Sequence, residues 1–325
     1  MLAAMCRAYG PPELLVVEVV PDPVAGPGEA VVRIEAAAVN YPDLLLAADR
    51  YQISVPPPFA PGSEFAGVVE TVGEGVTAVA PGDRVRGGSM VGAFAQRIAV
   101  PAGGLDVLAP GVDLAAAAAF HVAHATAYHA LRSVGGVAPG DWVVVLGAAG
   151  GVGLAAVELA KILGARVLAA ASSPAKLEVC AARGADALVD YTVEDLKDRI
   201  KVVTGGGADV VIDPVGGRWA EEALRATRWG GRFVTVGFAS GEIPRIPLNL
   251  VLLKGVVVKG FEIRTFAQHA PEEAARDAAE LQALFAGGTV TPHISASFPL
   301  EEAGAALRSL ADRTATGKVV ILPWA

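Results

Sequence analysis

The stretch Trp142-Val143-Val144-Val145-Leu146-Gly147-Ala148-Ala149-Gly150-Gly151-Val152-Gly153-Leu154 constrains this chain more than any other. Its apolar start reads as a buried strand that runs into a glycine-dense turn. Leu154 to Leu163 continue in good helix formers, and Gly164 is placed to end that helix. A second apolar run, Arg166 to Ala171, follows. Strand, turn, helix and strand in this order make a βαβ unit of the length that binds a dinucleotide. Glycines let the backbone approach a pyrophosphate, and free N–H groups at the helix start face the anion. The alternative is a tight strand–helix turn in an α/β protein that binds no nucleotide. The spacing departs from Gly-x-Gly-x-x-Gly: Ala148 stands at the first glycine position, Gly150 and Gly153 at the other two, and Gly147 and Gly151 are additional. An Ala costs little there if its φ is negative.

NAD-binding units of this kind place Asp or Glu about 20 residues on, to hold the ribose 2′-OH. Here the second strand ends Ala170-Ala171-Ser172-Ser173-Pro174-Ala175-Lys176, and no carboxylate comes before Glu178. Two hydroxyls and an ammonium suit a 2′-phosphate, so the expected cofactor is NADPH. Ser172 or Ser173 also suits the N-cap of the next helix, and the two roles are compatible.

A chain of 325 residues suits two domains. A net charge of −8 without a Lys/Arg cluster argues against a nucleic-acid surface. Cys6 and Cys180 are far apart, make no ligand spacing, and read as buried thiols of a reducing compartment. Met1 to Tyr9 lack a signal-peptide pattern and no run reads as a membrane span, so a cytoplasmic protein is expected.

The first third of the chain reads as β-rich. Leu14–Val20, Ala30–Ala38, Phe65–Val72, Asp83–Arg86 and Ala93–Val100 are strand candidates between Gly/Pro turns. Leu114 to Leu131 turns helical. Strands then alternate with helices: Val143–Leu146, Arg166–Ala171, Ala187–Asp190, Asp209–Asp213, Arg232–Gly237 and Val256–Phe261. Six strands with crossover helices predict a doubly wound parallel sheet. The tail changes style again, with helices at Glu272–Phe285 and Leu300–Leu310 and strands at Ser295–Phe298 and Lys318–Leu322. It is expected to rejoin the first domain, which places an active cleft between the two domains. Residues 51–58, 87–93 and 264–269 read as loops that shape its pocket.

The stretches AAAVNYPDLLLAADRYQ (36–52), PFAPGSEFAGVVETVGEGV (58–76), ATAYHAL (125–131), GDWVVVLGAAGGVGLAAVELAKILGA (140–165), GGRFVTVGFASG (230–241) and TATGKVVI (314–321) run over nearly the whole chain. In that order they resemble the zinc-independent quinone oxidoreductase branch of the medium-chain dehydrogenase/reductase superfamily, which includes zeta-crystallin. The resemblance implies an α/β protein: a GroES-like β-rich substrate domain, here 1–122 with 263–325, and a Rossmann NADPH-binding domain, here 123–262. It also implies a homodimer joined through the last Rossmann strand, Val256 to Phe261. Zinc-dependent relatives carry Cys at the position of Asn40 and His at that of Ser63, before Glu64. Catalytic zinc needs about three N or S ligands, and four clustered cysteines would be needed for a structural zinc; no metal is expected.

Without zinc the chemistry suits a quinone or enone, whose conjugation spreads the charge left by hydride transfer, while the protein supplies position and hydrogen bonds. By resemblance Asn40 lies near nicotinamide and substrate, and its amide is a donor to a developing oxyanion; the plain alternative is a turn Asn before Pro42. Tyr41 and Tyr51 line the pocket as stacking surfaces or proton donors, or pack in the core. Asp43 reads as a helix N-cap rather than a catalytic group. His124 is a candidate proton donor, against a buried structural His. Thr126 is placed at the nicotinamide, against a hydroxyl bonded to its own helix turn. His121, His124 and His129 lack a carboxylate or Cys partner, which weighs against a metal triad. For the cofactor, the resemblance adds Tyr191 near the adenosine phosphates, Val215 and Gly216 along the groove, Gly237 and Phe238 by the nicotinamide ribose, Phe261 by the nicotinamide, and Lys318 as a basic contact. The alternative for Lys318 is a surface lysine on an edge strand. With Ala148, Gly150, Gly151, Val152, Gly153, Ser172, Ser173 and Lys176 these form the expected cofactor set. The leading function is NADPH:quinone reduction. Reduction of a short acyl-CoA such as acryloyl-CoA is the second, with Arg84, Arg86 and Arg264 as its basic groups, and a non-catalytic NADPH-binding protein is the third.

Overall fold

A computed structural model describes residues 1–325. The chain forms two compact units, Met1–Val122 with Pro292–Ala325, and Ala123–Thr291.

The first unit opens with a hairpin of β1 (Leu2–Cys6) and β2 (Leu15–Val19). Next come β3 (Glu29–Val39), α1 (Tyr41–Ala47), β4 (Glu64–Val72), β5 (Arg84–Gly88), β6 (Arg97–Pro101) and β7 (Asp106–Val107). Helix α2 (Leu114–His129) starts in this unit. The second unit holds the rest of α2 and then β8 (Trp142–Leu146), α3 (Gly151–Ile162), β9 (Arg166–Ala171), α4 (Pro174–Ala182), β10 (Ala187–Asp190) and α5 (Leu196–Thr204). It continues with β11 (Ala208–Asp213), α6 (Gly217–Arg225), β12 (Thr227–Thr235), α7 (Leu248–Lys254), β13 (Val257–Gly260), α8 (Ile263–His269) and α9 (Pro271–Ala286). The tail returns to the first unit as β14 (Ile294–Pro299), α10 (Ala303–Ala311) and β15 (Lys318–Leu322).

In the second unit the strands are parallel in the order β10-β9-β8-β11-β12-β13. All residues of β8 and β11 are buried, as a parallel strand covered on both faces requires. The order reverses between β8 and β11, so the carboxyl ends of these two strands form the topological switch point where such sheets bind ligands.

Residues 263–291, expected in the first domain, pack instead with the second unit. The reason is a set of polar anchors. On α9 the fully buried Asp277 accepts hydrogen bonds from Ser133 (2.5 Å) and Arg276 (2.7 Å), and it lies 3.1 Å from Nδ1 of the buried His129. Glu280 accepts from the Tyr128 hydroxyl at 2.7 Å and from Arg132. Burial and the Glu280 carboxylate push the Tyr128 phenol up to about 12. Residues 264–269, expected as a pocket loop, lie in α8, which starts where Glu262 accepts the N–H groups of Arg264 and Thr265.

In the first unit the order is β14-β15-β3-β4-β5-β7, with β6 also paired to β3. Ile34, Phe65, Val85, Phe94, Leu307 and Ile321 fill its core. β15 pairs antiparallel with β3 through Val319 and Val39, so it is an interior strand. This register sets Lys318 beside the end of β3 and makes it no edge-strand lysine.

Candidate functional site

Each unit carries one group of the expected residues. In the second unit β8 ends at Leu146 and the chain turns at Gly147, whose φ is +57°. A Cβ on Gly147 would stand 2.7 Å from Cγ2 of Val215, and one on Gly153 would overlap the Gly147 carbonyl oxygen. Only glycine permits this closeness of helix and turn. Ala148 is fully buried, and its φ is not positive; only Asp49 and Arg313 among non-glycine residues have that conformation. The methyl group therefore carries no backbone penalty. Its N–H goes to Ala170 O at 3.0 Å, which ties the turn to β9. No side chain caps α3 at Gly150, so the first-turn N–H groups of Gly151, Val152 and Gly153 are left to a ligand or water.

At the end of β9, Ser173 caps α4 by accepting the Lys176 N–H at 3.4 Å. The Lys176 ammonium reaches Ser172 Oγ at 3.1 Å. Cap and cation thus come from one short turn, and Glu178 lies exposed on the helix beyond it. At the end of β11 the buried Asp213 accepts the N–H groups of Val215 (2.9 Å) and Gly216 (2.8 Å). Burial raises its pKa and these two bonds lower it. Gly216 has φ +69°, and a Cβ there would stand 2.8 Å from Phe238. Gly237 donates to Asp213 O at 3.3 Å, so the ends of β11 and β12 are bound together. Tyr191 stacks on Trp219 with centroids 4.6 Å apart. Thr126 is partly exposed on α2. His124 is buried on the same helix with Nε2 3.8 Å from Glu158 of α3. Phe261 is buried in an aromatic cluster with His129 (5.9 Å) and Phe266 (5.5 Å).

The group in the first unit is a buried ionic cluster. The Lys318 ammonium donates to Asn40 Oδ1 (2.5 Å), Glu64 Oε1 (2.8 Å) and Val39 O (3.2 Å). Lys318 is 3% exposed and Glu64 1%. All three ammonium protons are used inside the unit. Glu64 is equally satisfied, because Oε1 also accepts Asn40 Nδ2 at 2.9 Å and Oε2 accepts the Val122 N–H at 2.8 Å. The pair decides how Asn40 is turned: its oxygen must face the ammonium and its nitrogen the carboxylate. One amide proton goes to Glu64. The other has only long contacts, to Ser63 Oγ at 3.4 Å and Ala38 O at 3.5 Å.

Asp43 corrects the sequence reading in position. Asn40 is the N-cap of α1, and Asp43 is the third helical residue, whose Oδ2 accepts the Asn40 N–H at 2.8 Å. Asp43 is fully buried, and burial pushes its pKa up to about 7 against the hydrogen bonds of the Asn40 N–H and the Ser63 hydroxyl. Nothing in the local pattern signals this: a carboxyl at the first turn of a helix is ordinarily exposed. Tyr41 begins α1 and is partly exposed, and Tyr51 packs beside Phe59, Leu46 and Val55. A cavity of about 40 Å³ bounded by Glu64, Arg86, Asp106 and His121 has room for a water or two and none for a nicotinamide ring.

The donor set does not fit a catalytic zinc. An amide, a hydroxyl and one carboxylate surround an ammonium that already holds the amide oxygen and the carboxylate, and zinc ligation asks for imidazole or thiolate nitrogen and sulfur. The turn after β8 does fit a dinucleotide, since its glycines clear the space a pyrophosphate needs.

Two family models match the chain: the alcohol dehydrogenase GroES-like domain over residues 26–110 and the zinc-binding dehydrogenase domain over residues 151–280. The chain is 37% identical to the bovine quinone oxidoreductase-like protein 2 over 321 residues, covering 98% of this chain and 91% of that protein. Among solved structures, it is similar to the quinone oxidoreductase of Thermus thermophilus, known alone and in complex with NADPH. Identity is 36%, coverage 99% and 100%, and TM-score 0.87. The Escherichia coli quinone oxidoreductase complexed with NADPH gives 28% identity, the same coverage and a TM-score of 0.91. Glycine turn, strand order and both family domains coincide in one chain, which therefore belongs to the medium-chain dehydrogenase/reductase superfamily, with the oxidoreductases of its quinone oxidoreductase-like group.

Proposed function

We propose that this chain is an NADPH-dependent, zinc-independent reductase of quinones or other conjugated carbonyls. The observation that carries the reading is the Lys318 ammonium lodged between Asn40 and Glu64, where it is the fixed cation of the cluster. The bound cofactor supplies the hydride. The chain's own residues supply binding and orientation. Backbone N–H groups of Gly151, Val152 and Gly153 would hold the pyrophosphate, with Ala148 and Gly150 shaping the turn through their own backbone hydrogen bonds, and Ser172, Ser173 and Lys176 would hold the 2′-phosphate. Val215, Gly216, Gly237 and Phe238, at the ends of β11 and β12, would line the groove, with Tyr191 near the adenosine phosphates. Thr126 and Phe261 are proposed at the nicotinamide. Asn40 offers its weakly held second amide proton to the substrate oxygen, with the amide oriented by Lys318 and Glu64. Tyr41 and Tyr51 line the substrate side. His124, buried against Glu158, is better placed as a structural group than as a proton donor.

The short acyl-CoA reading asks for free basic groups. Arg84 bonds Val112 O, Arg86 pairs with Asp106 and Arg264 with Glu262, so each already has an internal partner. This favours quinones. A homodimer is supported by the edge strand β13, where Val257 and Val258 are each 46% exposed, and by the exposed Leu248 and Leu252 of α7. No helix is long and apolar enough to cross a membrane, and we place the protein in the cytoplasm. Steady-state assays with 9,10-phenanthrenequinone, 1,4-benzoquinone and acryloyl-CoA decide among the readings. Faster quinone turnover with NADPH is expected. Tight NADPH binding with no turnover would favour the non-catalytic alternative, and stoichiometric zinc in dialysed protein would overturn the metal-free one.

A further inference from the structure

Reduction of a quinone needs a proton as well as a hydride, and the cluster of the first unit holds a carboxyl that nothing above uses. Asn40, Asp43, Glu64 and Lys318 are 6%, 0%, 1% and 3% exposed. Ser63, between them, is partly exposed and is the member of the cluster that reaches the outside. Its Oγ stands 3.4 Å from Asn40 Nδ2, the amide placed at the substrate oxygen, and its hydroxyl lies near enough to the Asp43 carboxyl to pull its pKa down against burial.

The cluster favours a neutral Asp43. One carboxyl oxygen, Oδ2, accepts the Asn40 N–H, and the other, Oδ1, is buried without a hydrogen-bond partner. An ionised carboxylate with one oxygen unsatisfied is expensive away from water. The nearby cation, Lys318, is already neutralised by Glu64 at 2.8 Å. Glu64 itself opposes a second negative charge, and α10, which also packs on α1, adds only the apolar Ala303, Ala306 and Leu307 to the core there. A pKa of about 7 agrees with this arrangement.

We propose that Ser63 is the proton donor of the reaction and that Asp43 is the buried carboxyl that refills it. The inference rests on the reductase reading. Hydride delivery leaves the substrate with two more electrons and a negative oxygen. The Ser63 O–H bond breaks as its proton passes to that oxygen, while the Asp43 O–H bond breaks and its proton passes to Ser63 Oγ. The products are the neutral hydroquinone and an Asp43 carboxylate, which takes a proton from solvent before the next turnover. A phenolic oxygen titrates near 10, so transfer from a carboxyl near 7 is downhill by about a thousandfold.

The test uses Ser63→Ala and Asp43→Asn in the full chain, each nearly isosteric. General acid catalysis is worth about 100-fold or more, so kcat for the quinone should fall about 100-fold in both, with KM for NADPH unchanged. In the wild type kcat should decline as pH rises through about 7, and this limb should be absent in Asp43→Asn. A second measurement needs no turnover. Asp43 has a raised pKa in the folded state, so the folded chain binds more protons than the unfolded one between about pH 4 and 7. Wild-type Tm should therefore fall across that range relative to Asp43→Asn. A kcat in Ser63→Ala within threefold of wild type, or a pH limb that survives Asp43→Asn, overturns the relay. A wild type that reduces no quinone or enone overturns the reductase reading instead, and the Tm comparison still reports whether Asp43 holds its proton.

Discussion

Replacing Lys318 by Met should show how tightly the ionic cluster is coupled. At 2.8 Å and an effective dielectric of about 20 the Lys318–Glu64 attraction is about 6 kcal/mol. Taking both ions out of water costs several kcal/mol each, so the intact pair is close to neutral for stability. Removing one partner is different, since Glu64 stays sealed at 1% exposure with no cation. The expected loss is about 3–5 kcal/mol. Glu64→Gln should cost a comparable amount, as it strands the ammonium. In Lys318→Met with Glu64→Gln no charge is left buried, and Gln can still accept the Val122 N–H. The double variant should lose about 2 kcal/mol, mainly the unmet Asn40 and Val39 oxygens. Calorimetry and urea unfolding of the four proteins give the coupling, and at least about 3 kcal/mol is expected. Additive losses, or a Lys318→Met variant within about 1 kcal/mol of wild type, would refute the reasoning.

Gly153→Ala drives a methyl group into the Gly147 carbonyl, which must push α3 away from the turn. NADPH affinity should drop at least tenfold by calorimetric titration; unchanged affinity would remove the turn from the cofactor site. Lys176→Ala should raise the NADPH Michaelis constant roughly 10- to 100-fold and leave that of NADH nearly alone, as expected for a lost ion-assisted hydrogen bond. An unaltered ratio would exclude Lys176 as the 2′-phosphate contact. Val258→Lys puts a charge on the open strand β13 and should yield monomers in sedimentation velocity where the wild type is a dimer. A monomeric wild type would end the dimer proposal.

The sheets are legible because burial writes itself into short-range pattern. The apolar runs at 143–146, 166–171 and 209–213 have no other folded home than a covered parallel sheet. Residues 263–291 escape such a reading for the opposite reason. Their attachment runs through Asp277 and Glu280 to side chains nearly 150 positions away, and amphipathic period does not say which partner a helix finds. In the candidate site, Asn40 and Lys318 stand out by family resemblance. Their mutual contact, and the capture of all three Lys318 protons, depends on the β15–β3 register, a long-range fact. Asp43 reads as a cap because local rules cannot tell the first helical turn from the residue preceding it when Asn and Asp are both present.

The ionic cluster takes its members from positions 40, 64 and 318, while residues 123–291 form the other unit. During synthesis the ribosome therefore releases the whole nucleotide-binding unit before the cation of the first unit exists. Until β15 emerges, β3 has β4 and β6 but not its third partner, and Glu64 lacks its counter-charge, so the early part of the chain must wait, partly open, for β15. The nascent protein should then mature in reverse order of its sequence, with the second unit protease-resistant first and the first unit locking only after Lys318 arrives.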